Sequence, residues 1–396
     1  MQPPTASWDV LPAETILYIL AIIDDSQSLA ALLCACPRAF RLFSVDGGQL
    51  LDDLADRTHS AQVAQLIRST ALLRSCPGAF FRSDEAVSVD ETLLLHIGQM
   101  PYEEHCPPAM ASLSQSCCGR PEMVFSLVTT MHRLGLVAVA AVKWFEKNII
   151  EAKPEHLADP EKSYYRENLA PWDIDFEGKP YKAPGIAVVQ WIEVERLLRC
   201  LWRLQLLDEI KVAAKSLLYN GAETSLMHID LGTIIHTPAV QMDELLATVS
   251  FLDHGQEPPV QRPLQLPLTP CNVSQLPRMS RFDIPSLWRE WLPQNPERTI
   301  ISFPMLKTSY GYVIFNRQTR RIRSPIRDVP RHLYYCFGVP FWEKVTLQKL
   351  ELLESPQWEG SVCDSIFTWH SLLSQAQIQY VEDMLKEASR QRILIA

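Results

Sequence analysis

Near the start of the chain, apolar side chains recur at positions i, i+3, i+4 and i+7, the period of one face of an α-helix. The members of this stripe are Ile16, Ile19, Leu20 and Ile23. Leu17 and Ile22 lie outside it, so the apolar arc covers roughly 220° of the helix, against the ~100° that one core-facing side needs. The pattern predicts a helix with more apolar surface than a single core contact covers.

Two more helices are predicted directly after the first. Asp24, Asp25 and Ser26 break the first helix and supply N-cap candidates for a second. In that second helix the apolar spacing is repeated by Leu29, Leu32, Leu33 and Cys36. Pro37 ends it, and Arg38 to Phe43 predicts one further short helix. Residues 8–48 are therefore interpreted as a three-helix module, preceded by a tail at residues 1–7.

The rest of the chain divides into three stretches. Residues 49–254 are mostly helical by periodicity, residues 255–286 are a Pro-rich linker or surface segment, and residues 287–396 form a mixed region that ends in a helix. The predicted fold is mainly α: the N-terminal module, then a larger, mostly helical region with at most a small β-hairpin.

Three features of these stretches are specific enough to test. Between Val188 and Tyr219 an apolar helix face is predicted, with three arginines on another face: Arg196, Arg199 and Arg203. Ser374 begins a capping-box sequence before the last helix. A β-hairpin around Asn316 is predicted, with Gly311–Phe315 and Thr319–Arg323 as its strands.

Composition narrows the function classes. With 396 residues, 47% of them hydrophobic, the chain can bury a large core in about two or three domains. A net charge of -9 argues against partners that are themselves anions, such as nucleic acid or an anionic membrane. The longest apolar run, Leu134 to Val142, is far shorter than the roughly 20 residues of a membrane span.

The start of the chain and its cysteines indicate a compartment. Met1 to Ala13 has neither the basic start nor the apolar stretch of a secretory signal. Ten cysteines are scattered without the spacing of a disulfide framework, which favours reduced thiols. We therefore expect a soluble chain in the cytoplasm, the nucleus or both.

Signatures of catalysis and of cofactor binding are absent. The chain lacks a GxGxxG or Walker loop, a GxSxG elbow and an HExxH helix, so we expect neither an enzyme nor a cofactor. His105-Cys106 and Cys117-Cys118 are adjacent pairs with poor geometry for zinc, and no metal site is expected. His228 and Asp230 lack a nucleophile. The remaining candidates are interpreted as a solvated acidic edge and as core aromatics: Asp173, Asp175 and Glu177, and Trp288, Trp291 and Trp342.

One basic run stands out in this acidic chain. Its members are Arg317, Arg320, Arg321, Arg323 and Arg327. Guanidinium groups bind phosphate through paired hydrogen bonds, so a phosphorylated substrate or a nuclear-import role is one interpretation. A solvated hairpin face is the other.

The N-terminal module resembles an F-box. The similarity lies in Leu11-Pro12-x-Glu14-x-Ile16-x-x-Ile19-Leu20, then Asp24-Asp25, Ser28-Leu29-x-x-Leu32 and Cys36-Pro37-x-x-Phe40. The turn "CPRAF" after the second helix is similar to that of F-box proteins of filamentous fungi. Looser similarity extends to Glu195–Leu207 ("ERLLRCLWRLQLL") and Phe337–Trp342 ("FGVPFW").

The resemblance implies docking onto the Skp adaptor of a cullin–RING ubiquitin ligase, with the rest of the chain presenting an unknown protein substrate. Leu11 and Pro12 would open the contact. The module's own core and the adaptor groove would share a further set: Ile16, Ile19, Leu20, Leu29, Leu32 and Leu33. One alternative is a scaffold whose degenerate F-box packs its stripe in cis and recruits no ligase. The weakest alternative is an enzyme without recognised signatures.

Overall fold

The computed structural model describes residues 8–75, 112–117, 120–155, 181–182, 189–218, 239–253, 308–320, 326–353 and 368–395. These residues are 81% helical, and no strand occurs among them. The predicted mainly α fold is confirmed.

The N-terminal helices begin where the sequence predicts. After a 3-10 turn at Trp8–Val10, the chain forms α1 (Ala13–Ile22), α2 (Ser26–Ala35), α3 (Pro37–Thr58) and α4 (Ala61–Ser75). The carbonyl oxygen of Pro12 accepts hydrogen bonds from the amides of Thr15 and Ile16 and so starts α1. Asp25 Oδ1 accepts from the amide of Ser28 at 2.6 Å and caps α2.

The third helix is much longer than the predicted short helix at Arg38–Phe43. It has 22 residues and passes through Gly48, the predicted end of the module. Gly48 does not break the helix. It lets the backbone at Ser114 pack closely against α3, since a Cβ at Gly48 would lie 2.8 Å from the Cα of Ser114. The N-terminal helices are therefore continuous with the region behind them.

Beyond α4, the described residues form seven more helices. They are α5 (Leu113–Ser116), α6 (Pro121–Ala152), α7 (Trp191–Leu218), α8 (Ala239–Asp253), α9 (Tyr310–Thr319), α10 (Lys344–Lys349) and α11 (Gln375–Ile395), with a 3-10 helix at Arg331–Phe337. The predicted capping box of α11 is confirmed, since Ser374 N donates to Gln377 Oε1 at 2.8 Å and Gln377 N donates to Ser374 Oγ at 3.3 Å.

The predicted hairpin around Asn316 is wrong, because Asn316 lies inside α9. Ser309 Oγ accepts from the amide of Tyr312 at 3.1 Å and caps the helix. Ile314, Phe315 and Gln318 are buried. Their spacing of one, three and four residues is that of a helix face and not the alternation of a strand. A run of five apolar residues is too short for its period to separate a strand from a buried helix.

α7 lies at the centre of the helical region and packs against α4, α6 and α8. α1 packs against α3, while α2 and α3 also contact α6. The 3-10 helix Arg331–Phe337 packs on α6 and α8, and α9 contacts α10. Helices α2, α3 and α4 and the 3-10 helix Arg331–Phe337 thus all pack onto α6.

The Phe337–Trp342 segment is a buried aromatic turn. Phe341 stacks on Phe145 of α6 with ring centroids 5.6 Å apart, and Trp342 Nε1 donates to Phe337 O at 2.7 Å. Gly338 has φ 65°, and a Cβ there would lie 2.7 Å from Phe145 Cγ. The backbone conformation and the packing both require glycine at this position.

Candidate docking surface and buried polar seam

α1 presents two apolar faces, of which the chain itself covers one. Ile16 is 0% exposed and Leu20 is buried beside it. On the other side of the helix, Tyr18 is 67% and Ile22 54% exposed. Val10, at the end of the preceding 3-10 turn, is 83% exposed. We call Val10, Tyr18 and Ile22 the outer α1 face.

The eight residues predicted to bind a partner differ in how far they are buried. Four are buried in the chain's own core: Ile16, Leu20, Leu29 and Leu33. Leu11 and Leu32 are half-buried and pack against that core, Ile19 is half-buried, and Pro12 is exposed. Most of the predicted contact set thus faces the protein's own interior.

The sequence interpretation missed Tyr18 and Val10 and left Ile22 outside the stripe. The signal for a second face was nevertheless present, because an arc of roughly 220° exceeds what one core contact needs. Periodicity identified the stripe of greatest apolar density, which the chain buries. The apolar residues outside that stripe, Tyr18 and Ile22, are the ones left exposed.

A hydrogen bond from α3 attaches the C-terminal end of α1 to the rest of the protein. Arg57 of α3 donates through Nη2 to the carbonyl oxygen of Ile23 at 3.1 Å, which satisfies a backbone acceptor at the end of α1. Glu14 and Asp24 are exposed at the two ends of α1. The surface is an apolar helix face with carboxylates at its ends, which suits a partner with an apolar groove.

A second structured site lies inside the protein, where α7 meets α4 and α8. The predicted separate arginine face is present, but it is buried: Arg196, Arg199 and Arg203 are among the least exposed residues of the chain. We call these arginines, with Gln62 of α4 and Gln241 and Glu244 of α8, the buried polar seam.

Arg196 and Arg199 have charged partners in or beside the seam. Arg199 Nη2 pairs with Glu244 Oε2, and its Nη1 donates to Gln62 Oε1 at 2.7 Å. Arg196 donates to Phe341 O at 2.9 Å and to Glu343 Oε1 at 2.5 Å. These bonds tie α7 to both neighbouring helices and to the aromatic turn.

Arg203 differs, because its hydrogen bond goes to a neutral amide. Its Nη2 donates to Gln241 Oε1 at 2.7 Å. Within the part of the chain that the structure describes, no carboxylate lies within ion-pair distance of it. Burial lowers the pKa of Arg203 to about 10.

Two glutamates in the first turns of α7 are also hydrogen-bonded. Glu195 accepts from His59 Nδ1 at 2.7 Å and from the amide of Ser60 at 2.9 Å, at the start of α4. Glu193 accepts from the amides of Gln190 and Glu343, and burial raises its pKa to about 7. The looser F-box-like matches therefore form interior contacts in this protein.

Of the arginine run, Arg317 and Arg320 are exposed on or beside α9, and Arg327 pairs with Asp328 at 3.2 Å. Arg321 and Arg323 lie outside the described residues. Sequence reasoning missed Arg331, which reaches Asp243 Oδ2 at 2.8 Å. The exposed arginines Arg317 and Arg320 thus lie on or beside a helix instead of a hairpin.

The remaining candidates yield little chemistry. Among the residues that the structure describes, no group of three or more His, Cys, Asp or Glu is placed to hold a metal. Cys117 is buried, and burial raises its pKa to about 11. Trp342 is a core residue, as predicted. The other candidates fall outside the described residues: His105, Cys106, Cys118, His228, Asp230, Asp173, Asp175, Glu177, Trp288 and Trp291.

α6 is the one helix in the described ranges that is long and apolar enough to cross a membrane. Half of its most apolar window is buried inside the protein. α6 also contacts α2, α3, α4, α7, α8 and the 3-10 helix. These contacts are those of a core helix.

Known proteins give no independent assignment of the outer α1 face or the seam. Comparison of this chain with protein-family models, with curated proteins and with solved structures finds no match.

Proposed function

We propose that this chain is a non-enzymatic adaptor of the F-box type, the substrate receptor of a Skp–cullin–RING ubiquitin ligase. In this proposal the outer α1 face and the adjacent Leu11-Pro12 turn bind the Skp adaptor. The larger helical region presents an unknown protein substrate, in the cytoplasm, the nucleus or both. The proposal involves no cofactor, nucleic acid or membrane.

One observation carries the proposal. Tyr18 and Ile22, one turn apart on α1, are large exposed apolar side chains at the F-box-like motif, and Val10 is exposed just before it. Side chains of this kind contribute most to binding when a partner's pocket removes them from water. Two of the predicted contact residues, Ile16 and Leu20, are buried on the opposite face of α1, which packs against α3.

Co-purification of the full chain with a purified Skp adaptor tests this assignment. The double variant Tyr18→Ser/Ile22→Ser is expected to abolish co-purification, as is Leu11→Ala/Pro12→Ala. Val45→Ser is the control, since Val45 is an exposed apolar residue on α3, outside the outer α1 face. Retention of the adaptor by both double variants would refute the docking contact.

A second candidate function is favoured by the burial of four predicted contact residues in the chain's own core: Ile16, Leu20, Leu29 and Leu33. It is a scaffold with a degenerate F-box that recruits no ligase. Failure of the wild-type chain to retain the adaptor, with the helices intact by circular dichroism, would favour this scaffold.

A further inference from the structure

The buried polar seam contains more hydrogen-bond donors than acceptors. Three buried N–H groups in it have no hydrogen-bond partner: Gln62 Nε2, Arg199 Nε and Arg203 Nη1. One acceptor is also unpaired, Glu244 Oε1, which lies 3.9 Å from Arg196 Nε. The other oxygen of this carboxylate, Glu244 Oε2, pairs with Arg199 Nη2, so Glu244 lies between Arg196 and Arg199 and forms no hydrogen bond with Arg203.

The shortage of acceptors is greatest at Arg203. This residue is 5% exposed and its hydrogen bond goes to the neutral Gln241. A buried charge without a direct ion-pair partner is costly, and native proteins usually supply such a partner. Arg199, one turn away on the same face, adds a second positive charge and lowers the pKa of Arg203 further, which the more distant Glu244 carboxylate offsets only in part.

The first turn of α8 lies beside the same guanidinium group. Gln241 is the third residue of this 15-residue helix, and its side chain holds Arg203. The first amides of a helix have no intrahelical acceptor and carry the positive end of the helix dipole. Gln241 is only half-buried, so this end of the seam lies closest to solvent.

We propose that the Arg203 end of the buried polar seam binds one small oxyanion, such as inorganic phosphate or sulfate, beside the first turn of α8. The oxyanion accepts from Arg203 Nη1 and gives Arg203 the directly bonded negative partner that it does not have among the described residues. Flat guanidinium groups and helix N-termini are the donors that oxyanions bind in proteins. The site is independent of the outer α1 face and of adaptor binding.

Thermal unfolding of the full chain in phosphate, sulfate or chloride at matched ionic strength tests the site. A ligand that binds only the folded state raises Tm, and a rise of at least about 2 °C in phosphate and in sulfate over chloride is expected. Both anions also stabilise proteins generally through exclusion from the surface. The Arg390→Met variant, altered at an exposed arginine of α11, measures that general part.

The Arg203→Met variant removes the charge and keeps most of the side-chain volume. In chloride it is expected to be at least as stable as the wild type, because an unpaired buried charge is gone. In phosphate it is expected to lose the extra rise in Tm, which the Arg390→Met variant keeps. Calorimetric titration of the wild type should show one phosphate bound per chain.

Equal phosphate responses in Arg203→Met, Arg390→Met and the wild type would overturn the proposal, as would the absence of phosphate binding in the titration. The unpaired donors would then be satisfied by buried water. The titration uses the wild-type chain, so it decides the question even if Arg203→Met does not fold.

Discussion

Ile16 and Tyr18 lie two residues apart on α1 and have opposite surroundings: Ile16 is completely buried, and Tyr18 is two-thirds exposed. Two residues correspond to about 200° around a helix, so the two side chains point away from each other. One anchors α1 to the body of the protein, and the other leaves a large apolar ring in water. Stability and binding should therefore respond separately to substitutions at these positions.

Ile16→Ala is expected to lower the free energy of unfolding by about 2–5 kcal/mol, because it leaves a cavity in a closed core. Tyr18→Ala should change it by less than about 0.5 kcal/mol. Urea denaturation of the full chain, followed by circular dichroism, measures both. Comparable losses for the two variants would contradict the two-faced description of α1.

The pair Arg199–Glu244 should show strong coupling. Arg199→Met alone leaves the Glu244 carboxylate without its closest partner, and a loss of about 3–5 kcal/mol is expected. The double variant Arg199→Met/Glu244→Leu removes both charges and should recover most of that loss. A double-mutant cycle in urea measures the coupling, and simple additivity of the two single changes would rule out a specific pair.

The pH dependence of stability should carry a contribution from Glu146 of α6. Burial raises the pKa of this carboxyl to about 7, above its usual value of 4.5, and one of its oxygens has no hydrogen-bond partner. The folded state therefore binds the proton more tightly than the unfolded state does. The contribution of Glu146 to stability is greatest below pH 4.5 and declines as pH rises through 7.

Glu146→Gln should accordingly stabilise the chain at pH 8 relative to the wild type and lose this advantage at pH 4. Glu151→Gln, at an exposed position on the same helix, is the control and should leave the profile unchanged. Denaturation midpoints measured across this range provide the test. A parallel shift of the Glu146→Gln curve at every pH would contradict the assigned cause.

Gly338→Ala should destabilise the aromatic turn by more than about 2 kcal/mol. The substitution places a side chain at a positive φ and a methyl group 2.7 Å from Phe145 Cγ. Differential scanning calorimetry is the measurement. Val313→Ala, at an exposed position of α9, is the comparison and should leave Tm nearly unchanged. Equal Tm values for the two variants would mean that the turn tolerates a side chain.

Local signals predicted several elements of this fold correctly. Pro12, Asp25 and Ser374 each mark a helix start, because their effect on the backbone acts within a few residues. The long α3 was not predicted, because the helix that approaches Gly48 lies more than 60 residues further along the chain. A glycine that permits close packing and a glycine that ends a helix look alike in one sequence.

The burial of the α7 arginines shows the same limit of prediction from sequence. Arg199 was assigned to a separate polar face, and its burial depends on Gln62 and Glu244, 137 and 45 residues away. Side-chain polarity predicts solvent exposure only where no distant partner supplies the counter-charge. The outer α1 face was missed for a related reason: periodicity shows how much apolar surface exists, and tertiary packing decides which part is covered.

The docking claim is tested most directly by a titration of the purified full chain with a purified Skp adaptor, for the wild type and for Tyr18→Glu. The account predicts saturable binding of one adaptor per chain, weakened at least about tenfold by the buried carboxylate of the variant. Absence of binding by the wild type, or equal affinities for the two proteins, would contradict it.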